Sequence, residues 1–476
     1  MDNSANNVTV DLEKRLQAAS ERHMNDPYDL TIVNEVCEIL IALKREDELL
    51  PWAERALAVS PHHAGFLAMR ATALNLLGQH AEAADTWEHD PSISGEPVLY
   101  KVRLGYSLMM ANNLARAIAL LDEARRMAEL SNVQIRATAE HLLGEAMLKA
   151  GDPRGFAHWL MRNESGDAGN YRPIGVPEWR GDSNLHGQRV LITHQLGFGD
   201  NFLLAACVAD WQAAGANVMI TCDPQTHALM QASLPGCEVV STERPLRLRA
   251  ALPDAVQSRV ETFAPHMHAT LLHLPLLKAG QVVSEYRFQA YMRAPLAKQQ
   301  IAKEWARQLR LQHPGKRLVG LFWDCNQRHY PELGSFVRCL AKRRSLPVKT
   351  VDRIVTDPAV ADRVHFVNLH HPAVEAAAGT PAGNVSRYLP GIYHFDDTAA
   401  CIGELDAVLA VDSGVANLAA MMGKPTCVPV NTASEWRWGV RGDTTQWIEG
   451  TNVVRQTHEG SWDSVVQDAV TWLSVQ

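Results

Sequence analysis

The length, composition and charge of the chain exclude several classes of protein. Its 476 residues exceed what one hydrophobic core usually serves, so we expect about three domains. Hydrophobic residues at 46% and charged residues at 21% are typical of a globular protein, and a net charge of −8 gives no general attraction to nucleic acid or to an anionic membrane. The chain has no run of about 18 apolar residues and no secretion signal at its start, which predicts a cytoplasmic protein without a membrane span.

Neither the cysteines nor the histidines form a metal-binding pattern. The eight cysteines include no C-x-x-C pair, and several lie in apolar runs, so we expect reduced, buried side chains. His266, His268 and His273 form a loose group, with the pair 370–371 further on, but no ligand spacing fits a metal motif. We therefore expect neither a metal nor another cofactor.

Residues 1–162 have the pattern of paired helices. They are rich in Ala, Leu, Glu and Arg at helical spacing and show no strand pattern. Similar residues recur at an offset of 34: Ala71/Gly105, Leu74/Leu108, Ala81/Ala115, Ala83/Ala117, Trp87/Leu121 and Pro27/Pro61.

This pattern resembles a tetratricopeptide array of about four units, of which the first is degenerate and the last is shifted by a few residues. Such arrays stack into a solenoid with a concave groove, commonly a docking surface for a peptide or protein. The alternatives are that the solenoid supports the rest of the chain or mediates self-association.

After a Gly-, Pro- and Asn-rich linker at 163–187, strands begin to alternate with helices. The strand "RVLITHQ" leads into the glycine-rich turn "LGFGDN", an amphipathic helix and the strand "ANVMITCD". The alternation continues to the end of the chain and predicts two Rossmann-like lobes, 188–310 and 311–476, the second with a closing helix.

The stretch 404–430 carries the clearest ligand-binding pattern. An apolar strand at 407–411 ends on Asp412, Ser413 and Gly414, and a helix of small residues follows. The first amides of a helix have no intrahelical partner and carry the positive end of its dipole, which favours an anion such as phosphate at this turn.

Five ordered segments resemble bacterial tetratricopeptide-containing glycosyltransferases of the GT-B fold, which are related to lipopolysaccharide heptosyltransferases and distantly to protein O-GlcNAc transferases. These segments are "VPEWRGDSNLHGQRVLI", "QLGFGDN", "RLVGLFW" followed by "RRSLP", "FDDTAACIGELDAVLAVDSGVANLAAMMGKP" and "EWRWG" through "VVRQTHEGSWDSVV". The resemblance implies a solenoid followed by two lobes that bind a nucleotide-sugar between them, and a metal-independent, inverting transferase.

The resemblance also assigns candidate site residues. Asp200 corresponds to the general base that deprotonates the acceptor hydroxyl, although an Asp in this position also caps a helix. Gly197, Gly199 and Asn201 form the acceptor side or the turn itself. The donor-binding residues would be Asp412, Ser413, Gly414, Asn417, Arg344, Arg328, Trp323, Asp397 and Thr398.

Several of these assignments have structural alternatives. Asp397 and Thr398 could be helix-capping residues without any contact to a ligand. The aromatic and cationic group at 436–438 could stack on a ligand or could pack within the protein. The chain also departs from the family, which has a histidine at the position of Asn417 and small residues at 324–326.

We therefore carry three hypotheses. The first is a glycosyltransferase that acts on a protein docked by the solenoid. The second is a non-catalytic adaptor with degenerate transferase lobes, and the third is an enzyme with a lipid-linked or lipopolysaccharide acceptor, for which the basic segment 244–250 is a small candidate membrane contact.

Overall fold

The computed structural model describes residues 3–89, 93, 95–128, 132–164, 171–173, 175–181, 184–243, 252–278, 286–325, 333–383 and 385–475, without the side chains of 3–7. The chain forms two compact units. Unit 1 comprises Met1–Ile135 and Cys325–Arg343, and unit 2 comprises Arg136–Asp324 and Arg344–Gln476. None of the helices in the described ranges is both long and apolar enough to cross a lipid bilayer.

Unit 1 is helical, and each helix packs mainly on its neighbour in the chain. Its helices in the first part of the chain are α1 (Asn3–Asn25), α2 (Leu30–Ala42), α3 (Leu50–Val59), α4 (Ala64–Leu77), α5 (His80–His89), α6 (Pro97–Met110) and α7 (Leu114–Met127), and α8 (Val133–Lys149) begins there and continues into unit 2.

The turns of unit 1 repeat every 34 residues. Lys44, Gly78 and Asn112 all have positive φ angles, of 58°, 90° and 62°. In each turn the next residue donates its backbone N–H to the carbonyl five residues earlier, at 2.8–2.9 Å. A left-handed residue with this hydrogen bond ends a helix, and glycine is the residue that adopts it without strain. The predicted two-helix repeat is therefore visible in the backbone, while the tetratricopeptide assignment stays a prediction.

A later segment of the chain completes unit 1. The helix α15 (Ser335–Arg344) lies against the turns that follow α2 and α4. Arg338 donates to the Lys44 carbonyl at 3.0 Å, and Arg343 donates to the Asn75 carbonyl at 3.0 Å. Lys44 lies in the turn after α2 and Asn75 in the last turn of helix α4, so the inserted helix contacts two successive repeats, each through one arginine.

Unit 2 contains two parallel β-sheets, which confirms the predicted α/β fold class. The strands of the first lobe are β1 (Arg189–Thr193), β2 (Asn217–Cys222), β3 (Glu238–Ser241) and β4 (Met267–Thr270), in the order β3-β2-β1-β4. Those of the second lobe are β5 (Arg317–Phe322), β6 (Val364–Asn368), β7 (Val385–Arg387), β8 (Ala407–Ala410), β9 (Thr426–Val430) and β10 (Thr451–Arg455), in the order β10-β9-β8-β5-β6-β7.

The strand orders locate the ligand crevice that each sheet can offer. If β5 to β10 are renumbered 1 to 6, the second sheet, taken from the β7 edge, has the doubly wound order 3-2-1-4-5-6. The first sheet has the first part of this order, 3-2-1-4. In such sheets ligands bind beyond the carboxyl ends of the strands where the order reverses. Those points are between β1 and β4 in the first lobe and between β5 and β8 in the second.

The helices of unit 2 connect these strands. They are α9 (Gly155–Trp159), α10 (Phe198–Ala205), α11 (Val208–Ala213), α12 (His227–Ser233), α13 (Asp254–Phe263), α14 (Leu296–Gln312), α16 (Val348–Val355), α17 (Pro358–Ala361), α18 (Pro372–Ala378), α19 (Phe395–Glu404), α20 (Gly414–Met421) and α21 (Asp463–Val475). The closing helix α21 packs on α16, α17, β9 and β10, all in the second lobe.

The division of the chain differs from the predicted segments in two respects, the first being that residues 325–343, which lie inside the predicted second lobe, belong to unit 1. The second is that residues 136–162, assigned from sequence to the solenoid, belong to unit 2. Leu148, Phe156 and Trp159 are buried in the same hydrophobic cluster as the strands of both lobes. Apolar burial therefore attaches this last helical stretch to the α/β part.

Candidate functional site

The two switch-point turns of unit 2 meet in the structure. Helix α10 follows β1 and the glycine-rich turn, helix α20 follows β8, and the two helices pack directly on each other. A Cβ atom on Gly199 would lie 2.7 Å from Nδ2 of Asn417 and 3.5 Å from Cα of Gly414. The lobes are thus in contact at the turns where the sequence placed the base and the anion site.

A chain of alternating charges runs across this contact. Asp200, on α10 of the first lobe, forms an ion pair with Arg437 of the second lobe. Arg437 also contacts Glu435 at 2.7 Å, and Glu435 pairs with Arg344 through its other oxygen. Arg344 in turn contacts Asp412 at 3.2 Å. We call these five residues the charge chain.

The local structure explains how the charge chain is assembled. Glu435 precedes a short 3-10 helix, Trp436–Trp438, and Arg437 is its central residue. The two indole rings of this helix are fully buried. Trp436 packs against Phe156, which belongs to α9. Because both rings are buried, the charged residues beside them are held next to the lobe contact and must find partners there.

Burial and neighbouring arginines act in opposite directions on Asp200. Burial of the carboxyl would raise its pKa, but the guanidinium groups of Arg437, Arg162 and Arg344 together hold the pKa below its ordinary value. Only 17% of the side chain is exposed. Asp200 is therefore an anion at neutral pH, and in its present pairing it is a weak proton acceptor.

The other residues of the first turn have structural roles that the sequence left open. Gly197 is the N-cap residue of α10, so Asp200 lies within the first turn of the helix and does not cap it. Asn201 is buried and donates to the Leu196 carbonyl at 3.2 Å, while its own side-chain oxygen has no partner. Their contact with an acceptor stays a prediction.

The turn after β8 starts helix α20 with a serine N-cap, and its role as an anion site stays a prediction. Ser413 is the N-cap of α20, and its hydroxyl accepts the Ala416 N–H at 3.3 Å. Asn417 donates to the Ser413 carbonyl at 2.8 Å, and its buried side-chain oxygen has no partner in the described part of the chain. Gly414 faces Phe198 and Phe395, the nearest atoms to a Cβ placed there.

Three predicted donor residues are engaged elsewhere. Trp323 is completely buried, and its indole N–H donates to the Ala378 carbonyl at 3.0 Å, so its ring presents no surface to a ligand. Asp397 caps the start of α19 by accepting the N–H groups of Tyr393 and His394, and it also pairs with Lys298. Thr398 bonds weakly to the same turn.

The charged candidates in the segments that follow β5 also differ in whether they lie at the lobe contact. Arg344 belongs to the charge chain, whereas Arg328 lies outside the described residues. Asp324, from the unusual segment 324–326, is buried and accepts the Ser345 hydroxyl at 3.0 Å, while Asn326 lies outside the described part of the chain. The described acid of this segment thus has a hydrogen-bonding role within the lobe.

Sequence reasoning did not identify Arg437 and Arg162 as neighbours of Asp200, or Glu435 as the link between Arg437 and Arg344. The spacing E-W-R-W was a usable signal, because charged residues alternating with buried tryptophans must be buried or half-buried themselves. In the described ranges, no group of three His, Cys, Asp or Glu side chains could hold a metal ion.

Comparisons with known proteins give remote likenesses. No family model matches the chain, and no curated protein matches it. A glycosyl transferase family 9 protein of Veillonella parvula superposes with a TM-score of 0.41 at 12% identity, over 58% of this chain and 88% of its own. E. coli heptosyltransferase WaaC with ADP gives 0.39 at 11% identity, over 60% and 98%. An O-GlcNAc transferase of Thermobaculum terrenum gives 0.30 at 13% identity, over 100% and 91%.

Proposed function

We propose that unit 2 is a glycosyltransferase that moves a sugar from a nucleotide-sugar to an acceptor hydroxyl. The observation that carries the proposal is the meeting of two switch-point turns, which brings a carboxylate from one lobe beside two arginines and a helix N-terminus of the other. Glycosyl transfer needs one base for the acceptor and one cationic site for the departing diphosphate. The charge chain supplies both kinds of group.

In this proposal Asp200 is the base and α20 with Arg344 binds the diphosphate. The guanidinium of Arg437 holds the pKa of Asp200 low, so Arg437 must turn away from the carboxylate before the carboxylate can accept a proton efficiently. A helix N-terminus and arginines can neutralise a diphosphate, so the mechanism needs no metal. Inversion at the anomeric carbon is part of the proposal.

The acceptor we propose is a protein that docks on the helical repeats of unit 1. An open groove of about 650 Å³ on this unit, lined by Gln17, His23, Met24, Trp52 and Arg55, offers apolar and polar contacts for a peptide. Self-association through the same helices and a cytoplasmic location stay predictions.

Sugar transfer by three variants tests the mechanism. We expect Asp200→Asn to lower the rate by about 10²-fold or more, since a positioned base contributes about 10²–10⁴-fold. Ser413→Ala should weaken donor binding. Asp210→Asn is the matched control, because this aspartate lies on the next helix and pairs with Lys278 away from the charge chain. Undiminished transfer by folded Asp200→Asn and Ser413→Ala would contradict the proposal.

A specific observation keeps the adaptor hypothesis as the alternative. The lobes touch at the site, and the cavity beside Arg344 and Glu435 has a volume of only about 10 Å³. An adaptor with decayed lobes would stay closed in this way. A thermal-shift panel of nucleoside diphosphates and nucleotide-sugars separates the two functions, because a ligand of the native state raises the melting temperature. Absence of any shift would favour the adaptor.

A further inference from the structure

The carboxylate of Glu435 bridges two arginines. One oxygen pairs with Nη2 of Arg344, and the other lies 2.7 Å from Nη2 of Arg437. An anion with oxygens directed at two guanidinium groups is the arrangement in which arginines bind phosphate. Glu435 therefore occupies, within the protein itself, the place that a phosphate group would take between these side chains.

The charges of the site require that a carboxylate leave when an anion enters. With the neighbours Glu145 and Arg162 included, the four carboxylates of Asp200, Glu435, Asp412 and Glu145 stand against the three guanidinium groups of Arg344, Arg437 and Arg162, which leaves one net negative charge. A diphosphate added to this arrangement would meet net repulsion at short range. Exposure indicates which carboxylate leaves: the side chain of Glu435 is 27% exposed, against 17% for Asp200 and 7% for Asp412.

The space and the donors at the site agree with this exchange. The cavity lined by Arg344, Asp412, Ser434 and Glu435 holds about 10 Å³, roughly the room of one water molecule. This cavity is too small for a phosphate group while the Glu435 carboxylate lies beside Arg344. Arg437 is 5% exposed, and its buried Nε has no hydrogen-bond partner among the residues that the structure describes, so this arginine can donate one more hydrogen bond.

We propose that Arg344 and Arg437 form the diphosphate subsite of unit 2 and that Glu435 is an internal counter-anion which the ligand displaces. This inference rests on the proposed function, because it takes the ligand to be a nucleoside diphosphate or its sugar ester. It also links binding to chemistry: when Arg437 turns to the diphosphate, it leaves Asp200, whose carboxylate becomes a stronger base.

The affinity of the full-length protein for ADP, UDP, GDP and inorganic pyrophosphate, measured by calorimetry, tests the inference. We expect Glu435→Gln to bind the preferred ligand about tenfold more tightly than the wild type, because it removes the competing charge and keeps the shape. Glu435→Ala, which removes the whole carboxylate arm, should also tighten binding and serves if the first variant does not fold. Glu459→Gln removes a carboxylate that accepts the Thr432 hydroxyl in the same lobe and is not part of the charge chain, so this variant should bind as the wild type does.

The outcomes separate this inference from the function on which it rests. If the wild type binds a nucleoside diphosphate and neither Glu435 variant binds it more tightly, Glu435 is not a displaced counter-anion, and the proposed function stands. If neither the wild type nor the variants bind any of the four ligands, both proposals fail. Tighter binding in the Glu435 variants, with Glu459→Gln unchanged, supports the subsite.

Discussion

Gly199 lies at the contact between the two lobes of unit 2, where a single additional atom would disturb the packing. The space its missing side chain would need is filled by the amide of Asn417, which is itself buried and bonded to the Ser413 carbonyl. The nearby Gly197 has no such neighbour, since its Cβ would lie 3.5 Å from the Asp200 carboxylate, an ordinary contact. The two glycines of this turn therefore differ in whether the surrounding atoms leave room for a methyl group.

We predict that Gly199→Ala destabilises unit 2 by about 1–3 kcal/mol, the usual cost of overpacking. The new methyl group must push Asn417 aside and separate α10 from α20. Gly197→Ala is the comparison variant: φ at this position is −61° and the site has room for a methyl group, so it should cost only the N-cap preference for glycine over alanine and less than Gly199→Ala. Urea unfolding of the three proteins measures the difference, and equal midpoints would contradict the prediction.

The residue scale is also where the sequence was least informative. Asp200, Ser413 and Asn417 follow strands in the sequence, and this predicted that their turns face each other. In the structure these turns do meet. The ion pair of Asp200 with Arg437 did not follow, because the two residues are 237 positions apart and only packing of the buried tryptophans brings them together. Long-range partners of this kind leave no periodic pattern in a single sequence.

At the scale of elements, two glycines allow α8 and α9 to cross closely. A Cβ on Gly144 would lie 2.6 Å from the carbonyl oxygen of Gly155 and closer still to the backbone nitrogen of Trp159. Backbone atoms cannot move away as a flexible side chain can. This crossing places α9, with its aromatic side chains, in the core that carries the Trp436–Trp438 turn.

We predict that Gly144→Ala costs roughly 3 kcal/mol or more, at the upper end of overpacking, and that it weakens ligand binding by shifting Trp436. The control is Gly403→Ala in helix α19, where the nearest atom to a Cβ is 4.0 Å away. That change should stabilise the protein by about 0.5–1 kcal/mol, since alanine restricts the unfolded chain. Thermal unfolding of both variants should show opposite signs.

Periodicity made most elements predictable. The 34-residue repeat in the sequence corresponds to the recurring turns at Lys44, Gly78 and Asn112. The alternating apolar runs correspond to ten parallel strands among the described residues. The attachment of 136–162 to unit 2 was missed, because those residues have the same helical pattern as the solenoid. What distinguishes them is the identity of their packing partners.

At the scale of the whole molecule, buried histidines set the response to acid. Burial lowers the pKa of His141 and His370 to about 4 and that of His273 to about 3. In the unfolded chain these groups titrate near pH 6.5. Between the two pKa values the unfolded state binds more protons than the folded state, so the stability of unit 2 falls as the pH falls.

We predict that the free energy of unfolding of unit 2 is highest above about pH 6.5 and decreases towards pH 4. Each of the three histidines contributes a slope of up to roughly 1.4 kcal/mol per pH unit. His370→Asn removes one of the three histidines with a lowered pKa and should reduce the slope of the profile accordingly. Urea unfolding at several pH values measures the slopes, and a profile that is flat from pH 7 to 4.5 would contradict the prediction.

The helix α15 has a consequence for how the protein can be divided. Its residues lie between β5 and α16 in the chain, yet they complete the bundle that the first 135 residues build. The N-terminal repeats are therefore not a detachable module: a truncation at residue 136 would leave α15 without the turns that accept its arginines. Separating the two units requires cutting the chain at three places, 135/136, 324/325 and 343/344, and rejoining the pieces of each unit.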